Sequence, residues 1–240
     1  MVDPTAFLRR SPVRRAMPAN ATWLSLGDAA VVKRTAVDHA TSHLGIADLS
    51  PLPRLGFRGR DTLPLLRTRG VDLGDGQPNR AYRQSGGALC LVLGAGEVFL
   101  LNGLNDCGDQ LTTLATWQPA ESEQVYAMPR RDSHAWFAVS GQAAPALLAK
   151  LCAVDLRPHR FPALWVAQTT LARLNAIVVR TDAPDALLYY VLADSAAALY
   201  LLSCLLDAAS EFGGGLVGLE TLRTDRSGHG KSETDRTPEE

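Results

Sequence analysis

The chain repeats itself, and a duplicated sequence has to fold as two like units that bury their apolar faces together. In RLGFRGRD, Leu55, Phe57 and Gly59 alternate as a short strand. Leu63, Leu65 and Leu66 then follow at helical spacing, and the run reaches Val71-Asp72-Leu73. The second copy starts at Trp136, passes through FAVSG to Gly141, continues with Leu147, Leu148 and Leu151, and reaches Val154-Asp155-Leu156. From glycine to aspartate the separation is 13 residues in the first copy (59 to 72) and 14 in the second (141 to 155).

The segments C-terminal to the two copies also correspond. Residues 88–93 (ALCLVL) and 97–101 (EVFLL) read as strands joined by a Gly-Ala-Gly turn, with a helix over 106–117. In the second half, 171–180 (LARLNAIVVR) and 187–192 (LLYYVL) read as strands joined by a Pro-Asp turn. A helix over 195–212 comes next, capped by Ser195, with Leu199, Leu202, Leu205, Leu206 and Ala209 as its apolar face and Gly213 to stop it. Each half is therefore strand, helix, two strands, helix. That order predicts an α+β fold whose helices cover one face of antiparallel sheets. The expected division is a first half over 21–122 and a second over 123–223. An Arg-rich flexible segment (1–20) and a disordered charged tail (224–240) flank them.

Composition narrows the function. Net charge is −1, so no concentrated cationic surplus exists for a nucleic-acid partner. The Leu- and Ala-rich run 187–209 is interrupted by Asp194 and Asp207, which excludes a membrane span of about 20 apolar residues. Arg9, Arg10, Arg14 and Arg15 are interrupted by Pro12 and lead into no apolar signal core, so they read as a solvated or partner-contacting tail. Four dispersed cysteines (Cys90, Cys107, Cys152, Cys204) indicate packing residues in a reducing, cytoplasmic setting.

The segment DHATSHLGIADLSPLPRLGFRGRD (38–61) resembles the start of the folate-binding domain in the glycine-cleavage T-protein superfamily. The shared parts are an acidic residue and His before a short helix, then Gly45-Ile46-Ala47-Asp48-Leu49-Ser50, then a strand into Gly59 and Asp61. A closer resemblance is to the gamma subunits of heterotetrameric sarcosine oxidases. It is carried by Pro78-Asn79-Arg80, Leu93-Gly94 with Glu97, VDLRPHRFPALWVAQTTLAR (154–173) and Glu211-Phe212-Gly213.

The resemblance implies a T-protein-like α+β chain in complex with three others: a large alpha-type subunit with the folate domain, a flavin-bearing beta-type subunit and a zinc-bearing delta-type subunit. FAD, FMN, NAD, zinc and tetrahydrofolate belong to those other chains, and none is expected on this one. Folate-processing relatives carry an acidic pair after a Gly-Gly in the strand facing the pterin. Here Gly86-Gly87 leads to Ala88, Leu89, Cys90 and Leu91, which places Cys90-Leu91 at that position. Without a carboxylate to hold the substrate amine and move protons, one-carbon transfer by that mechanism is not expected. A subunit of a related N-methyl amino acid enzyme, such as N-methylglutamate dehydrogenase, and a stand-alone folate-binding protein remain alternatives.

Other chemistry has less support. His39 and His43 share a helical face beside Asp38 but lack a third ligand and a following Glu. Gly94-Ala95-Gly96 lacks a following helix, and the glycines of 213–218 end a helix instead of starting one, so both read as turns and caps. Ser140-Gly141 lacks the preceding Gly of a nucleophile elbow. The cysteines sit among apolar residues or beside a carboxylate, both of which disfavour thiolate. No catalytic or metal residue is therefore expected. The positive expectation is a partner interface built from Arg80 and Arg83 in PNRAYR and from Arg157, His159, Arg160 and Trp165, residue types that concentrate binding energy at interfaces. The competing role for Trp165 is as a core residue of a strand.

Overall fold

The computed structural model describes residues 2–36, 38, 43–105, 109–182 and 186–224. The first half contains β1 (Thr22–Leu26), β2 (Ala29–Arg34), β3 (Gly45–Asp48), β4 (Arg54–Arg58), α1 (Thr62–Thr68), β5 (Arg80–Arg83), β6 (Leu89–Gly94), β7 (Glu97–Leu101) and α2 (Asp109–Thr116). The second contains β8 (Tyr126–Met128), β9 (His134–Ser140), α3 (Ala144–Leu151), β10 (Val166–Leu171), β11 (Leu174–Arg180), β12 (Leu188–Asp194), α4 (Ala198–Ser210), β13 (Gly215–Leu216) and α5 (Leu219–Thr224).

The duplication is visible in strand order. One sheet runs β5-β6-β7-β4-β8 and the other β10-β11-β12-β9-β3-β13. Element for element, β5, β6, β7 and β4 correspond to β10, β11, β12 and β9. The strand beside β4 comes from the second half (β8), and the strand beside β9 comes from the first (β3), both antiparallel. The halves thus exchange strands, so the boundary at 122/123 divides the sequence but not the sheets.

Gly59 and Gly141 sit at equivalent crossing points. Their φ angles of 146° and 110° lie outside ordinary side-chain-bearing conformations. A Cβ at Gly59 would overlap the carbonyl of Gln124, which leads into β8, and one at Gly141 would overlap the carbonyl of His43, which leads into β3.

Both faces of each sheet are buried. Leu89, Leu91 and Leu93 of β6, Phe99 and Leu101 of β7, Trp136 and Ala138 of β9, and Leu188, Tyr190 and Leu192 of β12 form the layer between the sheets. The opposite parity (Phe57, Cys90, Val92, Val98, Leu100) packs on Leu66 of α1 and on Leu111 and Leu114 of α2. In the other sheet, Phe137, Val139, Val178, Tyr189 and Val191 pack on Leu147 and Leu148 of α3 and on Leu201, Leu202 and Leu205 of α4. Burial on two sides is why these strands read as continuous apolar runs rather than alternating ones. The order of layers is helices, sheet, sheet, helices.

Several local readings are corrected. Each half has three successive strands after its first helix, because β5 and β10 are edge strands whose Arg, Gln and Thr residues hide the apolar signal. The run 171–180 is not one strand. It turns at Ala172 and Arg173, both at positive φ (49° and 66°), with no Gly or Asn to announce the hairpin. Ser195 does not cap the last long helix: a short 3-10 turn (Ser195–Ala197) precedes α4, Asp194 caps that turn by accepting from Ala196 N at 2.8 Å, and α4 itself begins after Ala197 with no side-chain cap. Leu199 is exposed, and Leu201 faces the core instead.

Residues 9–17 lie against the body rather than standing clear as a tail. Val13 is fully buried in the helix-covered core, and Arg9 reaches the Pro51 carbonyl and Asp28. The Pro-Asp turn at 184–185, Cys107, His39 and residues 225–240 fall outside the described residues. Among those described, no helix is long and apolar enough to cross a membrane.

Candidate functional site

The layer between the sheets lies beside the positions where the sequence offers Cys90-Leu91 in place of an acidic pair. Cys90 and Leu91 are both fully buried, and they point to opposite faces of β6. Leu91 meets the inter-sheet layer, whereas Cys90 faces the helices, where burial pushes its thiol pKa far up and keeps it protonated. Trp136 packs edge-on against Tyr190 at 5.1 Å between ring centres, filling the centre of this layer with aromatic carbon.

At one end the layer opens into a cleft of about 560 Å³ lined by His134, Gln168, Thr169, Thr170, Asn175, Ala176, Ile177 and Leu192. Gln168 and Thr170 share the inward face of β10 with buried Val166, and Asn175 and Ile177 share that of β11 with Val179. Gln168 is partly committed, donating from Nε2 to Leu93 O (2.7 Å) and Asn79 Oδ1 (2.9 Å). None of the lining residues carries a carboxylate. The sequence pattern alone does not single out these cleft residues. Their signal is the polar residues 168, 170 and 175 recurring on one face of two otherwise apolar strands.

His134 stands at the mouth of this cleft. Its Nδ1 lies 2.7 Å from Ser133 Oγ, and its ring meets Phe99 edge-on at 5.3 Å. Burial, reinforced by the charges of Arg130 and Arg54, lowers its pKa to about 4, so it is neutral at pH 7.

The residues expected at a partner surface have definite internal roles. Arg80 and Trp165 form an antiparallel bridge joining the edges of the two sheets, and the Arg80 guanidinium stacks over the Trp165 ring at 3.9 Å. Backbone bonds from Ala81 N to Leu164 O (2.8 Å) and from Val166 N to Asn79 O (3.0 Å) close this seam. Arg83 spans it too, donating to the carbonyls of Thr181 and Asp182.

Arg157 is engaged in a two-pronged pair with Asp155 (2.8 and 2.6 Å), which holds that carboxyl well below the usual range. His159 and Arg160 are exposed on the adjoining loop. That loop is braced from beneath by Arg180, which donates to the carbonyls of Pro158 (3.0 Å) and Phe161 (2.9 Å). Phe161 meets Trp165 edge-on at 6.5 Å. Trp165 remains 37% exposed, so it is neither a core residue nor a free surface anchor. The structure therefore brings Arg80, Arg83 and Trp165 together at the seam and sets Arg157, His159 and Arg160 on the loop beside it.

Among the described residues, no group of three or more His, Cys, Asp or Glu side chains could hold a metal ion. His43 is exposed in a turn, while His39 lies outside the described residues. Cys90, Cys152 and Cys204 are free thiols.

No protein-family model and no curated protein matches the sequence. Solved structures do match the fold. Glycine cleavage system aminomethyltransferase T from Bartonella henselae superposes with a TM-score of 0.70 at 15% identity, over 91% of this chain and 62% of that one. The chain thus spans about three-fifths of the aminomethyltransferase's length. A chain of heterotetrameric sarcosine oxidase from Corynebacterium sp. U-96, solved in complex with pyrrole 2-carboxylate, superposes with a TM-score of 0.60 at 22% identity, over 87% of this chain and 98% of that one. The protein has a T-protein-like α+β fold, shared with an aminomethyltransferase and with a chain of a sarcosine oxidase.

Proposed function

We propose that this chain is a non-catalytic, gamma-type subunit of a multisubunit flavin-dependent oxidase that demethylates sarcosine or a related N-methyl amino acid. One observation carries the reading: its fold accounts for 98% of a chain from a heterotetrameric sarcosine oxidase, against 62% of an aminomethyltransferase. The packed inter-sheet layer and the absence of a carboxylate from its cleft favour a supporting rather than a chemical role. The flavin, NAD, zinc and folate sites belong to partner subunits, with the large folate-domain chain as the contact.

The seam and its loop offer the surface for that contact, with Trp165, His159 and Arg160 accessible and the loop held by Arg180. Pre-ordered aromatic and cationic side chains lose little entropy on docking. A tagged chain recovered from its host should co-elute with flavin-bearing partners in fixed ratio, and the purified assembly should turn over sarcosine or another N-methyl amino acid. Repeated recovery of the chain alone, or saturable tetrahydrofolate binding by the isolated chain, would replace this reading with that of a stand-alone folate binder.

A further inference from the structure

The other concentrated chemistry in the molecule lies on the far side of His134, where residues 9–12 cross the body. Arg54 is 5% exposed. Its Nε donates to Arg130 O (3.2 Å), its Nη1 to Ser50 O (2.8 Å), and its Nη2 to the carbonyls of His134 (2.8 Å) and Arg131. Carbonyls satisfy its hydrogens but do not neutralise its charge, and among the described residues it makes no ion pair. The nearby carboxyl of Asp48 is itself buried, which raises its pKa, and it acts on Arg54 only from beyond ion-pair distance. A buried cation without a contacting anion is costly unless something supplies the counter-charge.

Arg54 opens onto a pocket of about 270 Å³ walled by Arg9, Arg10, Pro12, Ser50, Asp132, His134, Ser195 and Ala196. An adjoining groove adds Arg131 and Asp28. The charged groups facing this space are four guanidiniums (Arg9, Arg10, Arg54, Arg131) and two carboxylates (Asp28, Asp132). Asp28 is already taken by Arg9 and Arg131. Among the described residues, Nη1 of Arg9 and Nη1 of Arg10 make no hydrogen bond, because their other nitrogens hold Asp28, Pro51 O, Phe7 O and Thr5 O. The start of the helical turn at Ser195 contributes no donor, since its N–H groups are bound to Ser133 O and Asp194.

We propose that this pocket binds a small oxyanion, a carboxylate or a phosphate, on Arg54, Arg9 and Arg10. The bound group would accept charge-assisted bonds from the unused guanidinium hydrogens and give Arg54 a negative charge in contact, which Asp48 and Asp132 supply only from a distance. Exposed Asp132 makes no hydrogen bond or contact ion pair among the described residues, but its charge acts on Arg9 and Arg54 from a distance, and it opposes an anion there. This inference does not depend on the proposed assembly.

The test uses the full chain, with thermal unfolding and calorimetric titration against sodium phosphate and sodium acetate at constant ionic strength, and chloride as reference. The expected result is a saturable rise in melting temperature and a saturable heat with phosphate or acetate, but not with chloride. The anion that binds more tightly identifies the source. Arg10→Gln should weaken binding about tenfold, the equivalent of one charge-assisted hydrogen bond. Asp132→Asn should tighten it, which a purely structural role for these residues would not produce. Absence of a saturable signal above chloride for both anions, or equal affinity in the wild type and both variants, would overturn the proposal.

Discussion

Gly141→Ala tests the strand exchange on which the fold depends. At φ 110° an alanine is strained by about 1–3 kcal/mol. Its Cβ would also overlap the His43 carbonyl and approach the Leu44 Cα at 3.1 Å. Those are backbone atoms at the entry to β3, which is held by pairing Gly45 with Ser140 and Ile46 with Val139. Relief therefore requires loosening β3 from β9, and the combined cost should be about 3–5 kcal/mol, in the range of severe single substitutions. Gly70→Ala is the control: its φ is 76°, but a Cβ there meets nothing within 4 Å, so only backbone strain of about 1 kcal/mol applies. Urea unfolding followed by circular dichroism measures both. Gly59→Ala should match Gly141→Ala, since its Cβ would meet Gln124 in the equivalent place. Equal costs for Gly141→Ala and Gly70→Ala would refute the claim that backbone crossing, rather than φ alone, demands glycine.

Trp136→Ala should cost about 3–5 kcal/mol, whereas Trp136→Phe should cost far less, because the buried indole N–H has no hydrogen-bond partner among the described residues to lose; denaturant unfolding of the two variants checks this. His134 has a folded pKa of about 4, below its ordinary value near 6.5, so the unfolded chain binds its proton first. The stability owed to neutral His134 is complete above pH 6.5 and lost as pH falls toward 4, a difference of about 3 kcal/mol, and His134→Gln should flatten that part of the stability profile. A double-mutant cycle on Arg80→Ala and Trp165→Ala should return a coupling of about 0.5–1 kcal/mol, and zero coupling would mean the stacked pair is not maintained in solution. Cys90 should resist thiol reagents until unfolding, while half-buried Cys204 reacts first among the described cysteines in labelling followed by mass spectrometry.

Much of the fold is legible in local pattern. Residues 54–58 and 134–140 and the strands β6, β7 and β12 are legible as short apolar runs bounded by turn residues, because burial on both faces leaves them apolar throughout, and the helices after Gly59 and Gly141 show helical spacing. The edge strands β5 and β10 are not legible in this way. Arg80, Arg83, Gln168 and Thr170 are placed for pairing and solvent rather than for a core. The Ala172-Arg173 turn lacks the usual residues, so its left-handed backbone is imposed by the strands it joins. Of the candidate site, the lack of an acidic pair and the set of aromatic and cationic residues could be read directly. Their arrangement could not: Arg80 and Trp165 are distant in sequence and meet because two sheet edges converge. Arg54 carried no signal at all, since its importance lies in burial beside a carbonyl-lined pocket.

By itself, the order of residues determined that the chain would be two similar α+β units with helices on one side of each sheet, and that position 91 would hold a hydrocarbon rather than an acid. These follow from side-chain chemistry and short-range spacing. Only the tertiary structure decided that each unit would lend a strand to the other, that the seam would occupy Arg80, Arg83 and Trp165, and that Arg9 and Arg54 would gather positive charge around one pocket. Such features arise from contacts between segments far apart along the chain, where the energy of a pairing depends on both partners and neither alone reveals it.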